Sequence, residues 1–332
     1  MKTFFFPAIL ISMILLAQLS FAQKPDTMKL VNPLPVLNGK AVFSFPKNAK
    51  NLQREVDIMS ADRNADEETR IMLDIKDMRL VFFVQELFAL GEDGLFEKIA
   101  ADNQKDGLVS RVLTDQNNLY SILSTPTSYD STQDAILLNS LIVRTPDNTL
   151  FRVYALINPA AFKWKNQFQR LSEKVFQSLA PGKRQINLAA RNEDHPVFGT
   201  DKMFHFQLPQ NYVITSDQKY DFQVFNLRKY RPYSDTNWTN LTLYTGYHPY
   251  ANYKDYGFRE SDLEKQSGTF LGKPVNWLFF HIPDEHLYCR EQIIPCNELQ
   301  EDLLIHIAQT SNLESALSEL KLLVEKITFL NK

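Results

Sequence analysis

Histidine and cysteine are the residue types most able to do chemistry, and this chain has 6 of the first and 2 of the second. His281 and His286 bracket a Pro-Asp turn in His-Ile-Pro-Asp-Glu-His. If they face each other across the turn, with Asp284 or Glu285 beside them, they supply the nitrogen and oxygen ligands of a Zn²⁺ or Cu²⁺ site. The hairpin at 141–157 has Arg144 and Thr149 at the same places, and neither is a usual ligand. Two polar residues at an exposed hairpin end are therefore the simpler reading, and no metal or other cofactor is assigned. His195, His205, His248 and His306 are scattered. No nucleophile elbow, zinc-protease motif, Walker loop or dinucleotide fingerprint occurs. With only 10 Gly in the chain, close backbone cradles for phosphate are improbable. Glu67-Glu68 and Glu92-Asp93 read as solvated loop charges, so no residue is assigned a catalytic role.

Cys289 and Cys296 stand close in sequence, and in an oxidising compartment such a pair can close a small disulfide loop if the Cα atoms lie within about 7 Å. Two reduced, buried thiols are the alternative. The aromatic residues carry the more distinctive signal: nine of the 13 Tyr fall between Tyr212 and Tyr256. Rigid amphipathic rings give large contact area at low entropy cost. Tyr230, Tyr233, Trp238, Tyr244, Tyr247, Tyr250, Tyr253 and Tyr256 are accordingly the candidate recognition residues. The competing reading is that Tyr is a good strand former on a half-exposed sheet face. Asn237-Trp-Thr and Asn240-Leu-Thr are N-glycosylation sequons, and Asp26-Thr-Met and Asp130-Ser-Thr match an acidic-hydroxyl-apolar O-glycosylation pattern.

The chain opens with Lys2, an apolar run from Phe4 to Leu19, and Ser20-Phe21-Ala22, the pattern of a cleavable signal peptide over 1–22. The run falls short of the roughly 20 residues a spanning helix needs, and nothing later approaches a span. A secreted or periplasmic protein without a transmembrane segment after cleavage is expected. The formal charge of −3 leaves no basic excess to neutralise phosphates, so nucleic acid is not an expected partner. Hydrophobic residues at 44% and charged residues at 23% describe a globular chain.

The elements that must position these side chains read as two copies of one module. Residues 141–157 and 278–294 align without gaps through Leu141/Leu278, Pro146/Pro283, Asp147/Asp284, Leu150/Leu287 and Ile157/Ile294. Each is a hairpin around a Pro-Asp turn. Upstream, Phe43-Ser-Phe45-Pro46 corresponds to Phe206-Gln-Leu208-Pro209. Downstream of the first hairpin, Asn158 caps and Pro159 opens a helix carrying Phe168, Leu171, Val175 and Leu179. Ser311 to Glu314 forms a capping box for a second helix, with a stripe of Leu313, Leu317, Leu320, Val324, Ile327 and Leu330. Residues 23–40 read as an extended lead-in, 41–180 as the first module and 202–330 as the second, divided by the polar stretch around Ala180-Pro-Gly and His195-Pro196.

Phe43 to Pro46, the hairpin at 141–157 running into Asn158-Pro159, and the closing Val175-Phe-Gln-Ser-Leu179 resemble the PsbP/Mog1 superfamily. That resemblance implies an α/β (α+β) fold of two tandem α/β/α modules, each a mainly antiparallel sheet covered by helices. It implies binding as the common theme and transfers no functional residue. The expected function is an exported, non-enzymatic interaction or accessory protein with a Tyr-rich recognition surface in the second module. Its partner would be an unknown protein. The alternatives are a glycan-binding protein and, behind it, a hydrolase with a site between the modules.

Overall fold

The computed structural model describes residues 24–52, 66–116, 119–219, 221–297 and 299–331. The signal peptide expected over 1–22 lies outside them. In the first half, the chain forms β1 (Leu30–Val36), β2 (Ala41–Pro46), β3 (Lys50–Asn51), β4 (Glu68–Ile75), β5 (Met78–Leu90) and α1 (Leu95–Lys105). It continues through β6 (Leu108–Gln116), β7 (Leu119–Pro126), β8 (Ile136–Arg144), β9 (Thr149–Ile157), α2 (Lys165–Gln177) and β10 (Ala180–Pro181). The second half begins with β11 (Arg191–Pro196), β12 (Lys202–Leu208), β13 (Tyr212–Gln218), β14 (Phe222–Lys229), β15 (Arg231–Pro232) and β16 (Thr239–Gly246). It ends with β17 (Glu264–Phe270), β18 (Lys273–Ile282), β19 (Leu287–Pro295), β20 (Leu304–Ser311), α3 (Ala316–Glu325) and β21 (Thr328–Asn331).

Strand order is the same in both halves. The large sheets run β3-β4-β5-β9-β8-β7-β6 and β13-β14-β16-β20-β19-β18-β17. In each, an early meander meets the last strand of a later four-stranded meander. After the helix, a short strand returns to pair with β2 or β12, which completes the small sheets β1-β2-β10 and β11-β12-β21. The matched hairpins of the sequence comparison are offset by one strand within this order. Pro146-Asp147 turns between β8 and β9, whereas Pro283-Asp284 turns between β18 and β19, whose counterparts are β7 and β8. Tight Pro-Asp turns suit any antiparallel meander, so the motif marks a hairpin without saying which one.

The expected pair of helix-covered α/β/α modules is corrected: the structure is a β-rich fold of four sheets, 51% strand against 19% helix. Alternation explains why. Along β5, Met78, Leu80, Phe82, Val84 and Glu86 point inward while their neighbours point out, and the same period of two runs through β1, β4, β11, β14 and β16. The inner face of the first large sheet packs on α2 and on the small sheet through Phe43, Phe45, Phe82, Phe168 and Phe176. The second large sheet packs likewise on α3 and β12 through Phe204, Phe206, Phe225, Leu320 and Val324. A small sheet thus takes much of the surface that helices were expected to cover.

On the outer face of the first sheet, Leu95 and Ile99 of α1 sit on Ile122, Ile142 and Leu150. In the second half, among the described residues, no α-helix occupies that place. The Tyr-rich segment between β16 and β17 does so instead, with Ala251, Tyr253 and Leu263 packed on Leu278, Phe280 and Cys289.

The expected helix starts are also corrected. Asn158 makes no cap; its side chain accepts the Arg79 N–H at 2.9 Å and donates to the Asp77 carbonyl at 2.9 Å, while Pro159–Trp164 is a 3₁₀ stretch. Ser311 ends β20, and its hydroxyl donates to the Trp238 carbonyl at 2.7 Å, so α3 starts at Ala316. Leu313 and Leu330, expected on the buried stripe, are exposed.

Candidate functional site

The halves meet along a seam built by β5. Past Gln85 the strand bulges between Glu86 and Ala89, and its free edge accepts β15 of the second half in parallel, Arg231 opposite Ala89 and Pro232 opposite Leu90. The Tyr233 N–H donates to the Leu90 carbonyl at 3.1 Å, and Ser234 donates through both N–H and hydroxyl to Glu92. Phe88, in the bulge, has φ of 50°, a left-handed backbone that is uncommon for an aromatic residue. Its ring meets Tyr230 edge-on at 5.5 Å and takes the Arg228 guanidinium at 5.6 Å.

Beneath this lies a buried charge cluster. Glu86 follows the inward register of β5 and therefore enters the interior, where the Lys40 ammonium meets it at 2.6 Å with both side chains almost fully buried. Gly182 makes this possible: a Cβ there would lie 1.9 Å from the Gly39 carbonyl oxygen, and the Gly182 N–H closes on the Lys40 carbonyl at 3.1 Å. Tyr230, 2% exposed, lays its ring 5.7 Å from the Lys40 ammonium. Burial pushes the Glu86 carboxyl up against the opposing pull of Lys40. Burial and the nearby Glu86 charge together hold the Tyr230 phenol well above its ordinary range.

Asp147 completes the cluster by accepting hydrogen bonds from Thr145, Thr149 and the Ile186 N–H of the chain joining the halves. Burial would raise its carboxyl, but these donors and the Lys40 charge outweigh burial and lower it.

Above the seam opens a cleft of about 260 Å³, walled by Phe88 from the first half and by Arg228, Lys229, Arg231, Tyr233 and Trp238 from the second. Its cations are matched locally. Arg228 meets Glu67 at 3.3 Å, Lys229 meets Glu319 at 2.6 Å, and Arg231 meets Asp235 at 3.3 Å and Glu319 at 3.9 Å. Asp235, Thr236 and Asn237 line one side, with the Asn237 amide and N–H both donating to Asp235. Trp238 is 41% exposed. Its N–H donates to the Asn312 side chain at 2.8 Å and its carbonyl accepts from Ser311 at 2.7 Å, so an exposed ring stands on a fixed backbone. Among the described residues, no other ring and no cation stacks on it.

The structure does not gather the eight aromatic candidates into one surface. Tyr230, Tyr233 and Trp238 belong to the seam. Tyr244 stacks on Phe222 at 5.4 Å on the outer face of the second sheet, and the Tyr247 hydroxyl accepts from the Gln300 amide at 2.5 Å. Tyr253 is 8% exposed and forms part of the cover over Phe280 and Cys289. Tyr250 and Tyr256 are exposed, with the Tyr256 hydroxyl donating to Glu285 at 3.2 Å. The cover is fastened by Glu291. This buried carboxylate accepts the N–H groups of Asn252 at 3.0 Å and Tyr253 at 2.8 Å, and lies 2.7 Å from His306 Nε2.

A disulfide between Cys289 and Cys296 is not formed, and the strand geometry rules it out. Six steps along extended β19 already cover about 20 Å, and an odd separation turns the side chains to opposite faces. Cys289 lies in the outer cluster, where burial pushes its thiol well up, and Cys296 lies in the core under α3. His281 and His286 do not face each other either. His281 stands opposite Tyr288 and stacks on it at 4.0 Å, while His286 sits in the turn at φ 48°. Among the described residues, no cluster of three or more His, Cys, Asp or Glu could hold a metal ion.

Asn240 lies within β16 and donates to Thr242, and Thr239 is buried, so both sequons have a member engaged in the sheet. Asp26 is held by Arg170 at 2.7 Å, and Asp130 by the Thr132 N–H and hydroxyl.

Lys40 and Glu86 escaped the sequence reading, and Asp147 figured in it only as a turn residue. One signal for Glu86 was present, since it prolongs the apolar alternation of β5 with a carboxylate. Comparison of the chain with protein-family models, curated proteins and solved structures gives no match. Among the described residues, no helix is long and apolar enough to cross a membrane.

Proposed function

We propose that this is an exported, non-enzymatic interaction protein that recognises its partner through the seam cleft. One observation carries the reading: the cleft takes walls from both halves and is lined by Trp238, exposed and unstacked, on a backbone held at both N–H and carbonyl. Rigid exposed aromatic side chains beside a concave polar site are the usual anchors of recognition. The left-handed Phe88 in the same wall is the kind of local strain that collects at functional sites.

This places recognition at 228–238 rather than along the whole Tyr-rich stretch, because Tyr253 and its neighbours serve to cover the sheet. Export rests on the N-terminal sequence pattern. Affinity capture from the extracytoplasmic fraction of the source cells tests the placement. Partners retained by the wild type and by Tyr250→Ala, but lost by Trp238→Ala, support it. The same partners retained by Trp238→Ala remove it.

A further inference from the structure

We infer that the seam cleft takes a neutral oligosaccharide, an inference that rests on the cleft being the recognition site. Charge decides against a charged chain. Arg228, Lys229 and Arg231 are each already engaged by Glu67, Asp235 or Glu319, three cations against three carboxylates. An acidic peptide or polyanion would have to displace these partners, and a basic one would meet the cations. What the cleft leaves available is an aromatic face and short-range polar groups of both kinds.

The face of a pyranose ring is lined by C–H groups and packs on an aromatic surface, while its rim of hydroxyls both donates and accepts. Trp238 offers the unstacked face. Asp235, Thr236 and Asn237, immediately before it in sequence, offer a carboxylate, a hydroxyl and an amide beside the same opening. Paired charged side chains suit neutral hydroxyls, because each retains acceptor or donor capacity without a net field that needs a counter-charge. The volume of about 260 Å³ fits one or two sugar rings. Since both backbone groups of Trp238 are held, binding to its ring requires no further ordering of the backbone there.

The full chain is titrated with short soluble oligomers of glucose, mannose, xylose and N-acetylglucosamine, followed by tryptophan emission and calorimetry at low and high salt. Poly-glutamate and heparin serve as anionic probes. The expected result is binding of at least one neutral oligomer, unchanged by salt, and weakened about tenfold or more by Trp238→Ala, with partial retention by Trp238→Phe. Trp238 is exposed, so a matching melting temperature of the variant shows that the fold is kept.

Binding only of an anionic probe, weakened by salt, overturns the saccharide class. If that binding still needs Trp238, the cleft remains the recognition site. Partner capture that needs Trp238 while no oligomer binds has the same meaning. Oligomer binding that Trp238→Ala leaves unchanged overturns the saccharide inference for this cleft.

Discussion

Glu291→Ala should detach the cover of the second sheet. In the wild type this buried carboxylate accepts two backbone N–H groups, from Asn252 and Tyr253, and contacts His306. Truncation leaves the buried Tyr253 donor without an acceptor, at about 1–3 kcal/mol, and the part-buried Asn252 donor at less than that. The chain has one escape, which is to lift the segment so that water solvates those donors. That exposes Ala251, Tyr253 and Leu263, whose burial is worth roughly 3–5 kcal/mol together. Either route leads to a loss of about 2 kcal/mol or more.

Glu291→Gln keeps one acceptor oxygen but turns an amide NH₂ towards the second donor, so about half that loss is expected. Urea unfolding measures the loss. Amide exchange at Asn252 and Tyr253, with trypsin cleavage after Lys254, reports where it occurs. If Glu291→Ala shifts stability by less than about 0.5 kcal/mol, within the range of ordinary surface substitutions, and the Tyr253 amide stays protected, the fastening role is refuted.

Lys40→Met should destabilise by about 3–5 kcal/mol by stranding the Glu86 charge, whereas Lys40→Met with Glu86→Leu should recover most of that loss; a double-mutant cycle in denaturant reads the coupling. Tyr253→Ala should lower the melting temperature while Tyr250→Ala leaves it unchanged, because only the first ring is buried. Asp147→Asn should flatten the acid limb of the stability curve. The Asp147 carboxyl is held below its ordinary value of 3.8, so its contribution is complete above that value and is lost as pH falls through the lower folded one, which urea midpoints across the acid range will show.

Local patterns were legible where the chain itself enforces them. The stripe of Phe168, Leu171 and Val175 marked α2. The strand-and-Pro signature of Phe43 to Pro46 marked β2, and its second copy marked β12. The helix starts failed because Asn158 and Ser311 found partners from other elements. The cysteine pairing failed because closeness in sequence becomes distance on an extended strand. The aromatic excess could not separate the Tyr that cover a sheet from the Trp that leaves its ring open.

The sequence by itself determined the alternation of strands such as β2, β5 and β12 and which of their faces is apolar, with Glu86 at an apolar-face position of β5. Those properties follow from a period of two along the backbone, which every residue carries locally. Only the tertiary structure decided that β5 pairs with β9 and β16 with β20, that a small sheet shares each core with a helix, and that β15 completes the edge of β5. Such pairings join segments tens of residues apart and depend on which apolar faces bury one another. The seam, its charge cluster and its cleft exist only after those choices are made, so Lys40, Glu86 and Trp238 acquire their roles from neighbours that the sequence places far away.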